Sequence, residues 1–102
     1  MDTIKFCSQL PNKPEFQVIS RQLIRSATSV AANYRAVCRA KSKPDFINKL
    51  SIVEEEADES AFWLEMFAEL RTGDKVELAR LSDEVFQLTA IMVSSKKTAR
   101  GN

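Results

Sequence analysis

Apolar residues recur every three or four positions in three long runs, and short stretches that break the period separate them. In the last run Leu78, Leu81, Val85, Leu88 and Met92 form one narrow helical seam, widened on one side by Val76, Ala79, Phe86 and Val93. In the middle run Phe46, Leu50, Val53, Ala57, Ala61, Leu64 and Ala68 make one stripe. At about 100° per residue, Ile52, Trp63, Met66 and Leu70 fall on nearly the opposite side, with Glu59 among them. The first run has a core stripe of Phe16, Ile19, Leu23, Ala27, Val30, Tyr34 and Val37. Beside that stripe lies a strip of Gln22, Ser26, Ser29 and Asn33, whose size lets another helix backbone approach closely. Ahead of these runs only Ile4, Phe6 and Leu10 mark a helix, and it is short.

The breaks between runs carry start signals. Asn12-Lys13-Pro14-Glu15, Ser42-Lys43-Pro44-Asp45 and Asp74-Lys75-Val76-Glu77 each place a capping side chain three residues before an acid. Proline is tolerated in a first turn because its missing N–H has no partner to lose there. Gly73 is placed to close the preceding helix in a left-handed conformation. The pattern predicts helices at about 2–10, 13–40, 43–71 and 74–98, and a frayed tail around Thr98–Asn102. Connections this short favour antiparallel neighbours. The expected fold is all-α, an antiparallel up-down four-helix bundle with a short first helix, and residues 1–102 form a single domain.

Composition agrees and narrows the chemistry. Two glycines and three prolines in 102 residues leave little for the turns of a β fold. No apolar run approaches the ~20 residues of a membrane span, and no basic-then-apolar start resembles a signal peptide, so a cytoplasmic location is expected. Cys7 and Cys38 lack a paired spacing and read as free thiols. The chain has no histidine, which excludes a di-iron bundle site built on Glu-x-x-His and the histidine-activated serine and cysteine nucleophiles. Consecutive Glu54-Glu55-Glu56 point in different directions around a helix, and although Glu55 with Glu59, or Glu54 with Asp58, could share a face, no histidine or second acidic motif on a facing helix completes a metal site. No catalytic residue, cofactor or metal is expected.

Charge changes the picture most. Residues 21–49 carry seven bases against the single acid Asp45, a net of +6, whereas residues 54–84 carry eleven acids against three bases, a net of −8. Arg21, Arg25, Arg35 and Arg39 lie within about 40° of one line, roughly opposite the core stripe, and Lys41 and Lys43 continue them. Such a stripe suits salt-dependent, sequence-indifferent binding of nucleic-acid phosphates, with Lys96 and Lys97 as further candidates. The competing reading sets the basic second helix against the acidic third as ion pairs, with Glu56 or Glu59 holding Arg25 or Arg35. No aromatic interleaves with the arginines, so base stacking is not provided for. The second apolar face of the third helix asks for a second partner. A subunit interface of Gln22, Ser26, Ser29, Asn33, Ile52, Glu59, Trp63, Met66 and Leu70 is one reading, and packing beneath the N-terminal helix or a loop is the other.

The segment Gln22 to Glu65 resembles the bacterial 23S rRNA-intervening sequence protein family. The likeness rests on the Gln-Leu-x-Arg-Ser-x-Thr-Ser-Val-x-Ala-Asn segment, Ser-Lys-x-Asp-Phe-x-x-Lys-Leu, and Glu-Glu-Ala-Asp-Glu-Ser with Trp63-Leu64-Glu65. The resemblance implies an up-down four-helix bundle that assembles into a ring, typically a homopentamer, in a family for which no enzymatic activity is established. It also implies a fold similar to the accessory protein of diversity-generating retroelements, a basic pentamer that binds nucleic acid and a reverse transcriptase. Family members usually have a longer first helix, so either other subunits cover the bundle here or the native chain begins upstream of Met1. The expected function is that of an oligomeric nucleic-acid-binding accessory protein. The alternative is a scaffold that recruits a protein partner, its charged stripes serving assembly.

Overall fold

Two of the three start signals set helix boundaries in the computed structural model, which describes residues 2–101. Met1 and Asn102, the latter in the tail read as frayed, lie outside the described residues. Ser42 Oγ accepts from the Asp45 backbone N–H at 3.2 Å, and the Asp45 carboxylate accepts from the Lys41 N–H at 3.1 Å. Asp74 Oδ1 accepts from the N–H groups of Val76 and Glu77 at 2.9 and 3.2 Å. Asn12 does not cap: its Oδ1 accepts from Gln17 Nε2, and Lys13 occupies the cap position without a side-chain bond. The cause is register. Pro14 is the first residue of its helix, and it holds Lys13 extended (φ −123°, ψ 144°), which shifts the cap one residue past Asn12.

The elements are α1 (Asp2–Ser8), α2 (Pro14–Val37), α3 (Lys43–Glu69) and α4 (Lys75–Ala99), an all-α antiparallel up-down bundle with a short first helix. α2 ends earlier than its periodicity implied. The Arg39 and Ala40 N–H groups donate to the Ala36 and Val37 carbonyls at 3.0 and 3.2 Å, a tightening that takes Arg39 off the helix. At the end of α3 the Arg71 N–H bonds to Ala68 and the Thr72 N–H to Phe67, the paired bonds of a Schellman closure. Its left-handed residue is Arg71 (φ 52°), not Gly73 as expected. Gly73, at φ 83°, is required for a different reason: a Cβ there would sit 2.6 Å from Phe6 Cζ.

α2 packs along α3 and α3 along α4, while α1 touches α2 and α4; no Cα atoms of α2 and α4 come within 8 Å of each other. The 7 residues of α1 cover roughly 10 Å of a bundle 46 Å long. The core is therefore divided. Near α1, Phe6, Ile19, Leu23, Leu64, Phe67, Leu78 and Leu81 pack together, with the Phe6 ring edge-on to Phe67 at 5.6 Å. Towards the far end Leu50, Val53 and Met92 form a smaller cluster with Val30, Val37, Phe46 and Leu88 around them.

Ser26, Ala57 and Ser60 are fully or almost fully buried between the two clusters. Ser60 Oγ donates to Ser26 Oγ at 2.8 Å, and Ser26 Oγ donates to the Leu23 carbonyl at 3.1 Å, so the buried hydroxyls satisfy each other. The α4 flank and one α2 core position depart from expectation. Val76 and Phe86 are 79% and 74% exposed and Tyr34 is 46% exposed, because the α2 and α4 backbones stay apart and α1 stops short of Tyr34.

Replacing Ser26 by leucine overpacks this contact, with an expected loss of about 1–3 kcal/mol in urea unfolding. Ser26→Ala is expected to cost about 1 kcal/mol or less, because Ser60 can turn its proton to the Glu56 carbonyl at 3.0 Å. Gly73→Ala is expected to destabilise by about 1–3 kcal/mol. The same change in a Phe6→Ala background is expected to cost less, and a double-mutant cycle reads that coupling.

Candidate nucleic-acid interface

The up-down order brings the C-terminal end of α2, the N-terminal end of α3 and the C-terminal end of α4 to one pole of the bundle. Arg21, Arg25 and Arg35 ride on α2, Arg39 and Lys41 occupy the following turn, Lys43 opens α3, and Lys96 and Lys97 lie in the last turn of α4. Arg100, the C-cap of α4, joins this pole. It was not among the sequence candidates because it falls in the stretch read as frayed. Its signal was its place just past the last helical turn, where a cation faces the helix's negative end. Lys43 and Arg100 line one cleft of ≈ 590 Å³ with Asn48 and Ser51.

Ion pairing sorts the candidates. Arg25 reaches Glu56 at 3.4 Å and also binds Glu59, whose carboxylate accepts from Trp63 Nε1 at 3.3 Å. The Glu59 hydrogen bond pushes the Arg25 guanidinium further up and holds the Glu59 carboxyl below its ordinary value. Lys96 pairs with Glu54 at 2.7 Å and Lys49 with Asp45 at 2.8 Å. Arg21, Arg35, Arg39, Lys41, Lys43 and Lys97 are exposed and make no ion pair among the described residues. Within the chain, then, Arg25 alone among the α2 arginines meets the acids of α3. The others point into solvent.

The acids follow the same division. On α4 Arg80 gathers Glu77, Glu84 and, at 2.9 Å, Asp2 of α1. Glu55, Asp58, Glu65 and Glu69 on α3 are exposed and unpaired among the described residues. The molecule thus presents a basic pole and α2 outer face, and acids along α3.

The residues considered for a subunit interface are largely engaged inside the chain. Ser26 is fully buried against Ser60, and Trp63 and Met66 are partly buried against the core cluster that includes Phe6 of α1. Asn33 donates to the Ser29 carbonyl at 2.9 Å, Gln22 accepts from Arg25 Nε at 3.4 Å, and Glu59 holds Arg25. Ile52 is half-buried. Leu70 is 45% exposed, and Val18, Phe62 and Ile91, which the periodicity did not single out, are more exposed still.

Among the described residues no three metal-ligating side chains converge. Cys7 and Cys38 are free, and burial pushes the Cys7 thiol up, away from a reactive thiolate.

A family model described as 23S rRNA-intervening sequence protein matches residues 1–94. The chain is also similar to a protein of unknown function from the S23 ribosomal protein family of Bacteroides thetaiotaomicron. That likeness has a TM-score of 0.78 and 29% identity, and covers 94% of this chain and 95% of the other. No curated protein matches.

The Arg25–Glu59 pair gives stability a pH dependence of known sign. Glu59 has a folded pKa below its ordinary value of 4.5. Its contribution is therefore present above that value and is lost as pH falls through the lowered one. Glu59→Gln is expected to flatten the acid side of a melting-temperature profile across the carboxylate range.

Proposed function

The chain belongs to the 23S rRNA-intervening sequence protein family, and we propose that it is a non-enzymatic, homo-oligomeric bundle protein that binds nucleic acid. The binding surface is the basic pole together with the outer face of α2. The observation that carries this reading is the set of unpaired, exposed cations Arg21, Arg35, Arg39, Lys41, Lys43 and Lys97. Cations held by the fold's own acids, as Arg25 and Lys96 are, have little left for a polyanion. Those left free can release counter-ions from phosphates. Without aromatic side chains among them the surface reads backbone charge and not base identity. The expected assembly is a pentameric ring, as the family resemblance implies, and its setting is cytoplasmic. No helix of the described residues is long and apolar enough to cross a membrane.

A second reading rests on the exposed apolar side chains Val18, Phe62, Val76, Phe86 and Ile91. These fit a scaffold that recruits a protein partner, with the divided charges serving assembly.

Binding of mixed-sequence RNA and duplex DNA measured against salt separates the two. Nucleic-acid binding predicts a linear fall of log affinity with log salt, and Arg35→Gln and Arg39→Gln each reduce the slope by about 0.9. Arg25→Gln is expected to leave the slope unchanged and to lower stability. If the Arg35 and Arg39 variants bind as the parent does while light scattering shows the oligomer dissociating, the scaffold reading replaces this one.

A further inference from the structure

We propose that the cleft at the opposite pole, where the chain turns from α3 into α4, binds a small amphipathic carboxylate. The cleft measures ≈ 500 Å³, within the range of small-ligand sites. Part of its lining is apolar: Ala68, Ala79 and the buried Phe67 and Leu78. Arg71 and Lys75 line the same cleft, with the hydroxyl residues Thr72 and Ser82 beside them. This combination, an apolar lining beside two cations, matches a ligand with a hydrocarbon or aryl body and one anionic head.

Three further observations favour a ligand over an idle hollow. Arg71 stands in the left-handed position of the α3 closure, φ 52°, where glycine is the ordinary solution, so a Cβ-bearing cation is held at a conformational cost beside the cleft. Neither Arg71 nor Lys75 has an ion-pair partner among the described residues. Of the nearby acids, Asp74 caps α4 and Glu77 is bound by Arg80. The last turns of α3 carry Glu65 and Glu69, which disfavour a polyanion at this pole but leave a single carboxylate able to bridge Arg71 and Lys75. The cleft is thus distinct from the nucleic-acid surface and does not depend on it.

The test is an NMR titration of amide resonances of the full chain with octanoate, and with octanol as the uncharged control. Saturable shifts centred on residues 67–82 are expected, with octanol binding about tenfold more weakly or worse. Arg71→Gly is the decisive variant, because glycine suits the left-handed site. It is expected to raise the melting temperature and to weaken octanoate by about tenfold, and Lys75→Gln to weaken it without that gain. Octanol binding as tightly as octanoate, an undiminished Arg71→Gly complex, or shifts spread away from this cleft would each overturn the proposal.

Discussion

The approach of α2 to α3 at Ser26 and Ser60 is the constraint on which the rest of the bundle depends. Two hydroxyls 2.8 Å apart leave no room for larger side chains, and the Ala57 methyl continues the narrow seam. With α2 pinned there, Arg25 comes within reach of Glu56 and Glu59, and the remaining arginines of α2 are turned outward. The same contact places α3 between α2 and α4, which then share no backbone contact of their own. Besides α3, only α1 touches both, and only near one end. A single polar contact inside the core therefore decides both which cations the fold consumes and which it leaves to solvent.

The resulting molecule separates its charges by role. Pairs such as Lys96–Glu54 and Arg80–Glu77 tie elements together or stiffen one helix, and being half-exposed they contribute modestly to stability. Of the cations without partners among the described residues, Arg39, Lys41, Lys43, Lys97 and Arg100 collect where three helix ends meet, while Arg21 stands along α2 and Arg71 and Lys75 at the opposite pole. This is a consequence of chain order, since an up-down bundle brings alternate helix termini to the same side. Lys43 and Arg100, 57 positions apart in sequence, come to line one cleft in that way.

What was legible in the sequence was what one helix or one turn decides. The Ser42 and Asp74 caps, the prolines in first turns and the Leu78–Met92 seam are local features, and the structure contains them. Features that need a partner elsewhere were not visible. Phe67 lies off both stripes assigned to α3, yet it is fully buried because Phe6 of α1 meets it edge-on. Gly73 serves that same Phe6 ring instead of closing α3, which leaves Arg71 to take the left-handed position. The bases of the candidate surface could be named from composition and spacing. Their division into paired and unpaired could not, because it depends on the rotation of α2 about its axis against α3.

The uneven reach of α1 has a consequence for how the protein responds to its surroundings. The half of the bundle beyond α1 has three helices and the smaller apolar cluster of Leu50, Val53 and Met92, and it carries the pole where unpaired cations crowd one another. Their mutual repulsion acts on the least-supported part of the core, and dissolved ions relieve it. If this pole binds a polyanion as proposed, ionic strength pulls in two directions at once, firming the fold at this end while loosening that grip. A bound phosphate chain would do what salt does to the fold. In such a molecule occupancy and rigidity of the basic pole would be one variable.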